Sequence, residues 1–353
     1  MTPALSVLDL VPVRADQTSA DAVAASLRLA RIADELGYLR YWLAEHHNMP
    51  AVAATNPPVL ISLVAGATER IRVGSGGVML PNHAPLVVAE QFALLEAAFP
   101  GRIDLGVGRA PGTDPVTAWA LRHQGPADAD ETVNQFPQIL DNLQAMMAPG
   151  GVAVQIAGRR HALHATPSAG SAPELWLLGS SDYAARLAAE KGLPYVFAHH
   201  FAGGGNGQSS GEGTAAALRL YRERFTPSET LAEPRTFLTV NAVVAETTDE
   251  ADRLALPQLL AMLKLRTGAP LTAQQSVEDA ELTPVAEAHQ GLLEAMRSKW
   301  IIGDPAYARK RIADLAAEFG VDEVMVNPVA GAHEGTDPAT APGREETLRL
   351  LVD

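Results

Sequence analysis

Short apolar runs alternate with longer stretches whose apolar positions recur every three or four residues, almost from end to end of the chain. The short runs are apolar on both faces and predict buried strands at 6–11, 39–44, 72–79, 103–107, 174–178, 195–198, 237–244 and 323–327. The stretches between them predict helices at 19–36, 57–68, 85–98, 131–147, 182–191, 214–225, 249–265 and 305–319. Eight strand-then-helix units in 353 residues match a (β/α)8 TIM barrel with insertions, a single domain over 1–353. A doubly wound sheet competes, because periodicity does not distinguish a closed parallel sheet from an open one.

Three segments break the repeat. "FAGGGNGQSSGEGT" (201–214) is rich in Gly and Ser and predicts a flexible loop. Residues 269–299 form an insertion with a helix expected at 284–298, and "VAGAHEGTDPATAPG" (329–343) leads to a terminal helix. The first and third follow strands, so a barrel puts them on its C-terminal face, where active sites form. Tolerated surface loops have the same composition. Two helical stretches, "PPVLISLVAGAT" and "PLVVAEQFALLEAAF", are apolar around more of their circumference than a barrel-facing stripe requires. Either a partner or another part of the chain must cover them.

Composition narrows the function classes. Hydrophobic residues make up 47% of the chain, enough for a sizeable core. Lysines and arginines number 27 against 41 acids, so the net charge is 27 − 41 = −14, which disfavours nucleic acid and anionic membrane as partners. The absence of cysteine removes disulfides, thiolate metal sites and cysteine nucleophiles. The N-terminus lacks a basic region followed by a sustained apolar run, and no stretch approaches the ~18 apolar residues of a membrane span. A soluble, cytoplasmic protein is expected.

Four motifs carry candidate chemistry. "AEHHN" ends the second strand with Glu45, His46 and His47. Adjacent strand residues point to opposite faces, so His46 and His47 cannot grip one ion without a bend, and the helical HExxH arrangement is absent. No metal site is assigned. Histidines hydrogen-bonded in a loop, or a pocket-facing imidazole for proton transfer, remain. A second pair, His199–His200, ends the sixth strand, across a barrel from the second. Glycines 74, 76 and 77 at the top of the third strand suit either a bulge or a flat ligand lying on the backbone. In "DLGVGRAPG" the spacing and Pro111 exclude a dinucleotide fingerprint, leaving Arg109 as an anion partner or a structural ion pair. "ELWLLGSSDYAARLAAEKG" is strand, glycine, two serines, then helix, which makes either an anion site or an ordinary cap by Ser181 or Asp182.

Taken in order, "AEHHN", "VGSGGVMLPNHAPLVVAEQFALLEAAFPGRIDLGVGRAPG" and "WLLGSSDYAARLAAEKGLPYVFAHHF" resemble the luciferase-like flavin monooxygenases. The likeness covers most of 5–200 and resumes at "WIIGDPAYARKRIADLAAEFGVDEVMVNP" (300–328). The resemblance implies a TIM barrel with reduced FMN, supplied by a separate flavin reductase, at its C-terminal face. It implies that oxygen adds to the flavin C4a atom and that the peroxyflavin oxygenates a small organic substrate. By the same resemblance His46 is the catalytic histidine beside the flavin ring, with Glu45 next to it as the second catalytic residue. Gly76–Gly77 matches a non-prolyl cis peptide at the ring, with Ser75 adjoining; Arg109 and Gly179, Ser180 and Ser181 match the phosphate site. A homodimer through the two apolar helices is also implied, with Leu94 and Val88 as contact residues to test.

The departures limit what carries over. Bacterial luciferase has a cysteine near the flavin where this chain has Gly108, and a glutamate near Ser180; its mobile-loop region is not recognisable in 269–299. Light emission and a long-chain aldehyde substrate are therefore not implied. One branch of the superfamily uses a deazaflavin coenzyme for hydride transfer, and some relatives bind flavin without catalysis. Both remain alternatives, and the sequence does not name the substrate.

Overall fold

The computed structural model describes residues 2–110, 113–122, 134–201 and 211–352. The strands are β1 (Ala4–Asp9), β2 (Arg40–Leu43), β3 (Arg72–Ser75), β4 (Val78–Met79), β5 (Ile103–Gly108), β6 (Val152–Ile156), β7 (Arg159–Leu163), β8 (Glu174–Gly179), β9 (Tyr195–Phe197), β10 (Thr236–Val244), β11 (Ile301–Gly303) and β12 (Glu323–Pro328). The helices are α1 (Ser19–Glu35), α2 (Pro57–Ala67), α3 (Pro85–Ala98), α4 (Pro115–Leu121), α5 (Phe136–Met147), α6 (Asp182–Lys191), α7 (Gly211–Arg224), α8 (Thr248–Arg266), α9 (Val277–Leu282), α10 (Glu287–Arg297), α11 (Pro305–Phe319) and α12 (Pro342–Val352).

Strands β1, β2, β3, β5, β8, β9, β10 and β12 pair in parallel and in that order, and β12 returns to β1. The sheet is thus a closed (β/α)8 barrel, as expected, and the open alternative falls. All eight expected strands are present because each is a short run buried on both faces, the pattern a parallel strand between barrel lumen and helix layer requires. The helices between them start at caps the sequence supplies. Thr18 makes a full capping box with Asp21, and Asn56 and Asp304 each accept a backbone N–H. Gly192 and Gly320, in left-handed conformation at φ 60° and 61°, end α6 and α11.

Layers of side chains fill the lumen. At the N-terminal end Arg40 is fully buried, with Nε 2.7 Å from Glu323 and Nη1 2.9 Å from Asp104. Above it Trp42, Trp176 and Phe237 form an aromatic plug with ring centroids 4.9–5.8 Å apart, and the Arg40 guanidinium lies 4.8 Å from the Trp176 ring. The barrel is closed from below, so a small molecule has access only at the C-terminal mouth.

Several expectations need correction. The expected 72–79 strand is two pieces, β3 and β4, interrupted at the glycines. Of the helix expected over 131–147, residues 131–133 lie outside the described residues and Phe136–Met147 form α5. Of the expected loop at 201–214, residues 202–210 lie outside the described residues, and Gly211–Thr214 already belong to α7. The β6–β7 hairpin, the three-residue β11 that extends β10, and the short α4 and α9 were not foreseen. Val88 is 1% exposed and packs in the core. The outward apolar residues on these helices are Val59 and Leu63 on α2 and Val87 and Leu94 on α3, exposed 56%, 44%, 49% and 57%. Among the described residues no helix is long and apolar enough to cross a membrane.

Candidate active site

His46 follows β2 at the mouth, its backbone N–H donating to the Ala54 carbonyl at 2.8 Å. Its Nδ1 is buried with no hydrogen-bond partner among the described residues. Burial, and secondarily the neighbouring His47, lower its pKa against the opposing pull of Glu45. A neutral imidazole with a free ring nitrogen in a dry site can take or give one proton.

Glu45 and His47 face the other way, as strand alternation requires. Glu45 is fully buried and both carboxylate oxygens are engaged. Oε1 lies 2.7 Å from Nε2 of His47 and 2.7 Å from Nε2 of His83, and Oε2 accepts the Met79 N–H at 3.0 Å. Burial alone would raise the Glu45 pKa, but the two histidines bring it down to about 2. Among the described residues these three side chains form the one grouping with metal-ligating spacing, their ligand atoms within 4.8 Å of one another. In the sequence only the adjacent His46 and His47 suggest a ligand pair; His83, in a loop 38 residues from Glu45, carries no local signal.

Across the mouth His200 contributes a second imidazole. Its Nδ1 is hydrogen-bonded to the Thr239 hydroxyl. Burial, then the nearby His199 and His46, lower its pKa to about 3, so it is neutral at ordinary pH. Asn241 donates to the His200 carbonyl at 3.3 Å and Asn327 donates to Asn241 at 2.8 Å. The His199–His200 pair was visible in the sequence, while Thr239, Asn241 and Asn327 sit in strands read only for their apolar neighbours.

The Gly76–Gly77 peptide is cis. A Cβ on Gly76 would come within 2.7 Å of Leu8 Cδ1, and one on Gly77 within 2.8 Å of the Gly106 carbonyl oxygen. Glycine is needed there for β3 and β4 to pass this close to the neighbouring strands. Ser75 is fully buried and its hydroxyl donates to the Gly106 carbonyl at 2.8 Å, so that hydroxyl is already engaged within the barrel.

Pairing of Gly108 with Leu178 sets the ends of β5 and β8 side by side. Arg109 therefore lies next to the start of α6, its guanidinium carbon 3.9 Å from the Tyr183 ring centroid. Ser181 is the N-cap of α6 but makes no side-chain cap bond, and Ser180 and Ser181 are exposed. A Cβ on Gly179 would strike Ala184 at 2.3 Å, so the chain must turn tightly here. An uncapped helix start with an arginine beside it is an arrangement able to hold an anion.

The sequence profile of the luciferase-like monooxygenases matches residues 4–323. The chain belongs to that family. Among its relatives, the uncharacterized protein YvbT of Bacillus subtilis is 44% identical over 88% of this chain and 86% of its own length. A luciferase-like monooxygenase of Escherichia coli K12 is 39% identical over 90% of this chain and 89% of its own. The solved structure of apo-MsnO8 superposes with a TM-score of 0.83 at 31% identity, covering 99% of this chain and 97% of that one. Two more distant structures share the fold. One is a type II Baeyer–Villiger monooxygenase of Pseudomonas putida in complex with FMN, at TM-score 0.70 and 18% identity, covering 99% of this chain and 97% of that one. The other is an F420-dependent secondary alcohol dehydrogenase with an F420–acetone adduct, at TM-score 0.63 and 14% identity, covering 100% of each chain. Membership makes this luciferase-like protein an oxidoreductase of the monooxygenase class, with flavin-type cofactors on both sides of its fold neighbourhood.

Proposed function

We propose that this luciferase-like monooxygenase binds reduced FMN from a separate flavin reductase and uses O2 to oxygenate a small organic substrate. The observation that carries the reading is the buried, unpartnered Nδ1 of His46 at the mouth, on the same barrel face as the Arg109–Ser181 anion site. A phosphorylated isoalloxazine fits that pairing. Arg109 and the N–H groups around Gly179, Ser180 and Ser181 hold the phosphate, and the backbone of Ser75, Gly76 and Gly77 faces the ring. Bound flavin supplies the oxygen-activating chemistry. His46, neutral near pH 7, moves a proton at Nδ1, while Leu8 and Leu178 form an apolar wall that excludes water. The protein acts in the cytoplasm as a two-fold homodimer through α2 and α3.

In a reductase-coupled assay, His46→Ala lowers substrate oxidation by about 10²–10⁴-fold, the usual contribution of a general acid–base group, while FMN affinity stays within a few-fold. Normal turnover by the variant removes the proton-transfer role. Hydride transfer with a deazaflavin shares the fold and is separated by cofactor choice.

A further inference from the structure

The donors around Glu45 come from two neighbouring strand ends. His47 follows β2, while Met79 ends β4 and His83 follows it. The same loops hold the next one along. Thr113 donates to the His47 carbonyl at 3.1 Å, Asn48 donates to Thr117 at 3.0 Å, and Arg122 Nε donates to Asn82 at 3.2 Å. Residues 113–122 continue the loop that carries Arg109. One buried carboxylate is thus the hub of hydrogen bonds that run from the His46 loop to the Arg109 loop.

A carboxylate this buried persists only when donors saturate it. An ionised carboxylate accepts and does not donate, so both imidazoles must present Nε2–H to Oε1. That fixes which ring nitrogen donates in each. Glu45 is fully buried with three donors already on its two oxygens, so it works through its neighbours.

The geometry points to Glu45, His47 and His83 as positioning residues that brace the second, third and fourth strand-to-helix loops and so hold His46 and Arg109 in register around the mouth. The role rests on the flavin reading, since register matters only if one ligand spans both residues. A divalent ion among the same three side chains is the competing arrangement, because their ligand atoms converge. It is disfavoured by both oxygens of Glu45 already being hydrogen-bonded.

The test uses the full chain free of cofactor, with ¹⁵N-labelled histidine, followed by FMN titration. Long-range ¹H–¹⁵N spectra of the wild type show a proton on Nε2 of both His47 and His83, and Glu45→Gln redistributes that pattern. His83→Leu, folded by circular dichroism, lowers turnover by about 10²-fold, the cost of a ~1 Å misplacement at a reacting centre, and weakens FMN. His83→Gln, which keeps an N–H donor, returns both to within a few-fold of wild type. Wild-type FMN affinity and unchanged His46 ring signals in His83→Leu overturn the inference. So does one equivalent of Zn²⁺ bound by the wild type and lost in His83→Leu. If wild-type protein fails to bind FMN, the flavin reading falls separately, and the ring spectra of the free protein still decide which nitrogens donate to Glu45.

Discussion

Arg109 carries the anion half of the account. Its guanidinium stacks on Tyr183 in the first turn of α6, which keeps the charge beside the turn that carries the exposed Ser180 and Ser181. A charge-assisted hydrogen bond is typically worth about 1.5–3 kcal/mol, or roughly ten- to hundred-fold in affinity. Arg109→Ala therefore weakens FMN by that factor and leaves riboflavin, which lacks the phosphate, nearly unchanged; fluorescence titration of both ligands reads the difference. Equal losses for the two would place Arg109 elsewhere. At this scale strand alternation was legible, since it separated His46 from His47 before any coordinates. His83 was not legible, because its partner Glu45 is a tertiary neighbour. Val88 and Val87 were confused for a related reason: α3 is apolar on both sides, so its pattern does not say which side meets the barrel.

At the scale of elements, His333 ties the loop after β12 to the insertion. Its Nδ1 lies 2.6 Å from Glu278 on α9 and its Nε2 lies 2.8 Å from Glu250 on α8. The Glu334 N–H also donates to Glu278, and Arg253 bridges Glu250 to Glu281. The hydrogen bonds from Glu278 and then Glu250 raise the His333 pKa above its ordinary 6.5. A raised folded-state value gives stabilisation that is complete below the ordinary pKa and is lost as pH climbs through the raised one. Hydrogen exchange of 277–282, corrected for intrinsic rates, should speed up as pH climbs above the ordinary 6.5 and through the raised value, and His333→Gln should flatten that dependence. An unchanged pH profile in the variant would remove the latch. The eight barrel strands were readable because burial on both faces leaves an unbroken apolar run. The β6–β7 hairpin was not, since Arg159, Arg160 and His161 are solvent-facing and give it no apolar alternation. The three residues of β11 are too few to show a period.

At the scale of the molecule, a chain of net charge −14 displays four large apolar side chains together on neighbouring helices α2 and α3. Isolated exposed leucines are ordinary, but a contiguous patch marks a partner surface, and a two-fold contact would cover it on both copies. Paired Val87→Glu and Leu94→Glu substitutions should convert a sedimenting dimer to monomer without unfolding it, since both side chains already face outward. A wild-type monomer across micromolar concentrations would contradict the proposal, and a dimer indifferent to both charges would move the interface.

The most direct test of the central claim, reduced FMN held at the barrel mouth for reaction with oxygen, is one spectroscopic experiment. Cofactor-free protein is mixed anaerobically with reduced FMN, air is admitted, and flavin reoxidation is followed, with deazaflavin binding measured in parallel. The account predicts stoichiometric FMN binding and reoxidation kinetics distinct from those of free flavin, altered again in His46→Ala. Failure to bind FMN together with tight deazaflavin binding would contradict it.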